Sequence, residues 1–533
     1  MPWWLLGVSM VATTFAADTP GLVTELVRKN GVSGNWVWWA QLLTGMLTVF
    51  FYAKLWRKSG ITTDLEFYEL RYSGKTASLL RGFRAIYLGV IFNIITMAGV
   101  CLAGAKIANI LLGISQETML LYSSFVIVIY ASLGGLKGVL LTDFMQFIIA
   151  MIGSIWATIY IINLPEINGI ENLLLHDNVN SKLSILPDFS DTESLITLFI
   201  IPFAVQWWST WYPGAEPGGG GYIAQRMLAA KNENNASWAT LFFNFAHYAL
   251  RPWPWILVGL ASLILFPDLN AIKSTFPDLT KEMQGHDVAY AAMMTYLPTG
   301  LIGLVLTSLI AAFMSTISTQ LNWGSSYIVN DFYCRFINKN SSEKQKVIIG
   351  RISTVMLMLG AAWFSFHLQS AKSVFDLLLQ IGAGTGLLFI VRWFWNRINP
   401  YSEITAMIVS FLIAVLFFIN NKLDSPLFQI KGYWQLIIGV IATTICWIVV
   451  TLLTKPTNKE TLNKFDNLIF EGKPKFENIG YKIIGFISGT IGVYSILFAT
   501  GNWIYGKLGI ALLLSTIAIT CMVILLKIWR KLS

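Results

Sequence analysis

The chain has 533 residues, of which 55% are hydrophobic and 12% charged, with 37 Lys and Arg against 28 Asp and Glu for a formal net charge of +9. Soluble domains carry about 25% charge, so this balance, with a mean hydropathy of +0.62, excludes a soluble globular protein. The basic residues sit between apolar segments, which suits orientation in a bilayer rather than nucleic-acid binding, and the four scattered cysteines (Cys101, Cys334, Cys446 and Cys521) show neither metal-ligand spacing nor a disulfide framework.

Apolar stretches of the ~20 residues that a ~30 Å hydrocarbon core requires recur along the whole chain. They predict an all-α polytopic membrane protein of about 14 spans, at 3–28, 35–56, 82–112, 117–133, 138–162, 194–228, 238–266, 300–333, 347–367, 374–395, 402–420, 433–453, 482–500 and 504–527. Residues 1–17 end in Phe15-Ala-Ala17 like a short signal peptide but lack its basic n-region, so they are read as part of span 1. Asp18 and Pro20 are expected to break that span, because proline removes a backbone donor and clashes with the preceding turn.

Alternate loops are basic, from Lys54, Arg57 and Lys58 after span 2 to Lys527, Arg530 and Lys531 at the end, whereas loop 163–193 is acidic. The positive-inside rule then puts the basic loops and both termini in the cytoplasm. Span 6 is interrupted too, by Pro213-Gly-Ala-Glu-Pro-Gly-Gly-Gly-Gly221. Two interrupted segments five spans apart point to inverted repeats in a secondary transporter, spans 1–5 and 6–10, with spans 11–14 peripheral. Around the second break stand Trp207, Trp208, Trp211, Tyr212 and Tyr222, readable either as an interfacial aromatic belt or as a stacking surface for a small organic solute.

Span 8 carries Ser315, Thr316, Ser318 and Thr319 just after Ala311 and Ala312. Such residues serve close helix packing. With unwound carbonyls near Ala12 and Phe15, the Ala312 carbonyl and the Ser315 and Thr316 hydroxyls would also make a five-oxygen Na⁺ site, since neutral oxygens suit a hard cation. Asp143 lies just inside a span, where a carboxylate is a functional candidate, although a helix-start residue near Lys137 is the alternative. His247 lies in apolar sequence, and Arg251 is suited to an anionic group, to Glu216 or to a lipid headgroup. No phosphate-binding loop or Ser/His/Asp constellation is present in the sequence.

Four motifs, Gly7-Val-Ser-Met-Val-Ala12 with its break, Gly134-Gly-Leu-Lys-Gly-Val-Leu-Leu-Thr-Asp-Phe-Met-Gln146, Tyr222-Ile-Ala-Gln-Arg-Met-Leu-Ala-Ala-Lys231 and Ala311-Ala-Phe-Met-Ser-Thr-Ile-Ser-Thr-Gln-Leu-Asn322, occur in the order found in the sodium/solute symporter family. The chain resembles that family, which includes sugar, proline, pantothenate and sialic acid symporters. The resemblance implies a LeuT-type core of two inverted five-helix repeats within 1–397 (about 1–163 and 192–397), with 398–533 as peripheral helices. It implies Na⁺-driven uptake, Na⁺ at Ala12, Phe15, Ala312, Ser315 and Thr316, and Asp143 on the Na⁺ release path.

By the same resemblance the solute cavity involves Thr19, Trp38, Trp39, the span-6 break with Trp208 and Tyr212, His247 and Gln380. Family members often carry a further N-terminal helix, whereas this chain begins almost at the first core helix. Span 1 also lacks the Glu-Gln pair of the sugar transporters and has Asp18-Thr-Pro20 instead, so sugar specificity is not carried over. The expected protein is a symporter of the plasma (inner) membrane, not an enzyme, whose partners are a small polar solute, Na⁺ and lipid, with no nucleic acid and no obligate protein partner. Proton coupling through Asp143 or His247, and a transporter-like sensor, are the alternatives.

Overall fold

The computed structural model describes residues 1–209, 216–277, 279, 284–368, 371–423 and 425–532, and among them there is no β-strand. Ten of its helices are long and apolar enough to cross a membrane. All-helical structure is what a bilayer demands, because each backbone N–H and C=O must find its partner within the segment.

The helices that carry the argument are α1 (Trp3–Thr14), α2 (Asp18–Asn30), α3 (Val32–Ser59), α4 (Lys75–Leu112), α5 (Gln116–Ile162), α6 (192–209), α7 (Gly221–Leu228), α8 (Glu233–Leu265), α9 (Thr299–Ile337), α10 (Glu343–Ser365), α11 (Ala371–Gly382), α12 (Pro400–Lys422), α13 (Gly432–Leu453), α14 (Lys459–Phe470), α15 (Ile479–Ile504) and α16 (Leu508–Leu532).

The first break comes earlier than Asp18 and Pro20 suggested. The chain leaves helical geometry at Phe15 (φ −87°, ψ 63°), and Asp18 opens α2. Pro20 falls in the first turn of α2, where the donor it lacks has no intrahelical acceptor. Carbonyls released at the break are met from other helices: Thr316 donates to the Thr13 carbonyl at 2.9 Å, and Arg251 to the Thr14 carbonyl at 2.5 Å.

The spans expected at 117–133 and 138–162 are joined as the single helical stretch α5 of 47 residues. It does not run straight. The hydroxyls of Tyr130 and Thr142 touch, whereas 12 residues of straight helix would separate them by about 18 Å. The stretch therefore doubles back between them. Both arms border α9: Met119 lines a cleft with Phe313, and Gly153 packs on Ser308. The reversal falls between residues 130 and 142, where the sequence places the boundary between spans 117–133 and 138–162; the difference is only that helical backbone continues through it.

The second break lies between α6 and α7. Gly218 (φ +87°) and Gly219 (φ +93°) adopt left-handed geometry against the Tyr52 ring and Trp56, a combination that a side chain would oppose twice over. The Gly218 carbonyl accepts from Trp56 Nε1 at 2.7 Å, and Asp64 accepts from the Gly221 N–H at 2.9 Å. Glu216 is buried against Arg84 of α4, an ion pair that pins this break to the first half of the chain. Glu216→Ala, which strands the Arg84 charge, is expected to lower stability by about 3–5 kcal/mol. The apolar pair Arg84→Met with Glu216→Leu should recover most of that in detergent unfolding.

The C-terminal helices pack on the rest through polar and aromatic contacts. Tyr494 of α15 donates to the Trp39 carbonyl at 2.8 Å, Trp253 Nε1 donates to the Leu497 carbonyl at 2.8 Å, and Trp529 of α16 lies against Phe50. Helix α14 buries Leu462, Phe465 and Ile469 along one side.

At the end of α2, Arg28 donates to the Ser262 and Phe266 carbonyls and, at 3.2 Å, to His286 Nδ1. Burial, followed by the Arg28 charge, pushes His286 down from 6.5 to about 4. The unfolded chain therefore binds a proton that the folded chain refuses between those values. Stability should fall as pH drops from about 6.5 towards 4, and a His286→Gln variant should show a flatter unfolding-against-pH curve over that window.

Candidate functional site

Asp143, on the second arm of α5, is fully buried and draws four helices together. Its two oxygens accept from Ser315 of α9 and from Ser9 of α1, both at 2.5 Å, and Arg226 of α7 approaches to 3.8 Å. Arg226 also donates to Ser9 Oγ at 3.2 Å and to Thr319 Oγ1 at 3.1 Å. A carboxylate in this interior needs a countercharge and filled lone pairs, and these neighbours supply both. Asp143 is thus a helix-crossing node and not a helix-start residue at the membrane surface.

On α9, Ser315 and Thr316 present their hydroxyls to different partners. Ser315 turns to Asp143, while Thr316 reaches the Thr13 carbonyl at the break. Ala312 precedes them by a turn, and Ala12 and Phe15 flank the unwound segment; all three are buried. The Ala12 carbonyl accepts from the Phe15 N–H at 3.1 Å. The expected oxygen set thus lies on the two elements joined by the Thr316 contact, with Thr13 as an additional carbonyl. Thr319 meets Thr13 Oγ1 at 3.3 Å and Ser318 donates within α9 to the Ser315 carbonyl, so these two hydroxyls serve packing and the Arg226 network.

A cavity of about 140 Å³ opens beside Thr316, between the two halves of the broken first span and helices α3, α4, α7, α8, α9 and α11. Thr19, Trp38 and His247 line it, as does Thr316 itself. His247 contacts Thr14 Oγ1 at 3.0 Å and packs edge-on against Trp38, with ring centroids 5.6 Å apart. His247 and Arg251 are one turn apart on α8, so they share a face, and Arg251 reaches His247 Nδ1 at 2.5 Å.

Other expected solute contacts lie elsewhere. Trp39 is fully buried outside the cavity, edge-on against Trp36. Trp208 packs with Ile201, Ala383 and Leu436 and donates to the Ala204 carbonyl. Gln380 is directed to Gln435 of α13 at 3.5 Å, although its neighbours Phe375 and Leu378 do line the cavity. Tyr212 falls outside the described residues. Arg251 is not paired with Glu216, which belongs to Arg84.

Asp18 lines the cavity too, as do Tyr222, one of the aromatics around the second break, and Arg251. The sequence signal for Asp18 is double: it marks the helix break, and a carboxylate at membrane depth is a functional candidate by default. A second cavity of about 260 Å³, beside Gly104 and Phe313, is walled almost wholly by apolar side chains and offers nothing to orient a polar solute.

The sequence profile described as the sodium:solute symporter family matches residues 1–410. The chain belongs to the sodium:solute symporter family. It is therefore a Na⁺-coupled solute symporter and an integral multi-pass membrane protein, not an enzyme. Among its curated relatives, sodium/glucose cotransporter 1 of Oryctolagus cuniculus is 23% identical over 86% of this chain and 73% of its own length. The osmoregulated proline transporter OpuE of Bacillus subtilis (strain 168) is 25% identical, over 87% of this chain and 86% of its own.

A solved Na⁺-coupled sialic acid symporter, in a substrate-bound outward-open state, superposes with a TM-score of 0.66 at 20% identity, over 86% of this chain and 91% of the other. The likeness shows the LeuT-type fold of this symporter. A profile for low affinity iron permeases matches residues 396–480. Among the described residues no group of three or more His, Cys, Asp or Glu is placed to hold a metal.

Proposed function

We propose that this symporter imports a small polar organic solute by alternating access, with Na⁺ bound between α1 and α9 by the Ala12, Phe15 and Ala312 carbonyls and the Ser315 and Thr316 hydroxyls. The observation that carries the reading is Thr316, which bonds the Thr13 carbonyl freed by the break and also lines the solute cavity. One side chain thus touches both the ion path and the solute path, which is the economy that coupling requires. Hydroxyl and carbonyl oxygens match a hard cation, and broken helices at membrane depth are where transporters bind their cargo. Asp143, bonded to Ser315, is the first acceptor that an ion leaving the Ser315 hydroxyl would meet.

The core comprises residues 1–397 and the peripheral helices 398–533. The protein resides in the plasma (inner) membrane with both termini in the cytoplasm, following the basic loops. Uptake into proteoliposomes, with Na⁺ replaced by choline at two pH values, tests the coupling. Solute accumulation should require the Na⁺ gradient at both pH values; accumulation driven equally well by a proton gradient in choline would overturn it.

A further inference from the structure

We propose that the 140 Å³ cavity takes a zwitterion, a solute whose anionic group lies against Arg251 and whose cationic group lies against Asp18. The proposal rests on the reading of this cavity as the solute site and names the class of solute.

The cavity wall holds one guanidinium and one carboxylate, Arg251 on α8 and Asp18 at the start of α2. Both line the same space, yet they do not form an ion pair within 4.0 Å, and among the described residues neither has another ion-pair partner at that distance. Lys106, which borders a small space on the other side of Asp18, is committed to Asp287 at 2.7 Å. Three buried pairs elsewhere are matched directly, Arg84 with Glu216, Arg392 with Glu403 and Lys106 with Asp287, whereas among the described residues the buried Arg28 and Arg71 rest on backbone carbonyls and line no cavity beside a carboxylate. Leaving two opposite charges apart at membrane depth is costly, and a ligand carrying both complementary charges removes the cost at one stroke.

The details favour this orientation. Arg251 is held in place, with Nε on the His247 carbonyl at 3.2 Å, one terminal nitrogen on the Thr14 carbonyl and the other on the His247 ring. A guanidinium has five N–H groups, and these three contacts leave donors for an incoming carboxylate. Its Cζ also lies over the Trp255 ring, 5.3 Å from the centroid, a cation–π contact that helps to hold it. Asp18 is only partly buried, facing the cavity next to Thr19. Trp38, stacked on Tyr248 with a centroid distance of 5.8 Å, offers an aromatic face to the cationic end. The volume is on the order of five water molecules, which suits a solute of amino-acid size.

Binding to the purified full-length protein, read by tryptophan fluorescence in saturating Na⁺, tests this. The panel is L-alanine and L-proline as zwitterions, lactate as an anion, ethylammonium as a cation, and D-glucose and myo-inositol as neutral solutes. At least one zwitterion should bind ten times more tightly than any other member. Asp18→Asn should abolish the preference for L-alanine over lactate while leaving the response to Na⁺ alone intact, and Arg251→Gln should weaken L-alanine and lactate together.

A neutral or singly charged solute binding as tightly as the best zwitterion, or no binding of either zwitterion, overturns the proposal. So does loss of the Na⁺ response in Asp18→Asn, which would make Asp18 an ion ligand. The wild-type response to Na⁺ alone reports separately on the coupling: zwitterion binding indifferent to Na⁺ would support the solute class and sink the symport site.

Discussion

Alanine at both Ser315 and Thr316 should raise the Na⁺ concentration for half-maximal uptake more than a hundredfold. In the proposed Na⁺ site each hydroxyl is one neutral oxygen ligand, and an interaction with a charged partner is worth about 1.5–3 kcal/mol. Two together exceed about 2.7 kcal/mol, or two decades in affinity. Both side chains are buried, and their present partners, Asp143 and the Thr13 carbonyl, belong to other helices, so the substitution also unfastens α9 from α1 and α5. Thr316→Ser keeps the hydroxyl and should stay close to wild type in Na⁺ response. A double alanine variant with unchanged half-saturating Na⁺ would remove this pair from the ion site.

Arg226→Met should cost about 3–5 kcal/mol of stability, because it leaves the Asp143 carboxylate buried without a cation. Arg226 bonds Ser9 and Thr319 as well as facing Asp143, so α1, α5, α7 and α9 all lose a shared partner. Pairing it with Asp143→Asn removes the stranded charge and should return a large part of the loss, since an absent ion pair costs less than a broken one. Unfolding in detergent separates the three variants. A single variant as stable as wild type would show that Asp143 relies on Ser9 and Ser315 alone.

These two predictions depend on residues with different visibility in the sequence. Ser315 and Thr316 are neighbours in a run of hydroxyls within an apolar helix, and their chemistry is local. The Asp143 node is not: its partners come from α1, α7 and α9, and only packing brings them together. The same holds for Arg84 with Glu216, separated by 132 positions, and for Arg251 with the Thr14 carbonyl, separated by 237. The first break shows a milder version. Proline and aspartate announced an interruption but not its register, because both are comfortable in a first helical turn and the unwinding occurs just before them.

The solute site shows why local reading stops where it does. Trp38 lines the cavity while Trp39 faces away, and Gln380 faces α13 while Leu378 lines the cavity. Adjacent helical residues point about 100° apart. In a soluble protein the polar face fixes that rotation, but a membrane helix that is apolar all round carries no such mark.

The sequence by itself determined the all-helical membrane class, the two interrupted spans, the family and the chemistry of the hydroxyl cluster, because hydropathy, helix breaking and oxygen-ligand character are properties of short stretches. Only the tertiary structure decided the rotation of each helix, the countercharge of Asp143 and the separate charges of Asp18 and Arg251, because those depend on which distant side chains share a buried space.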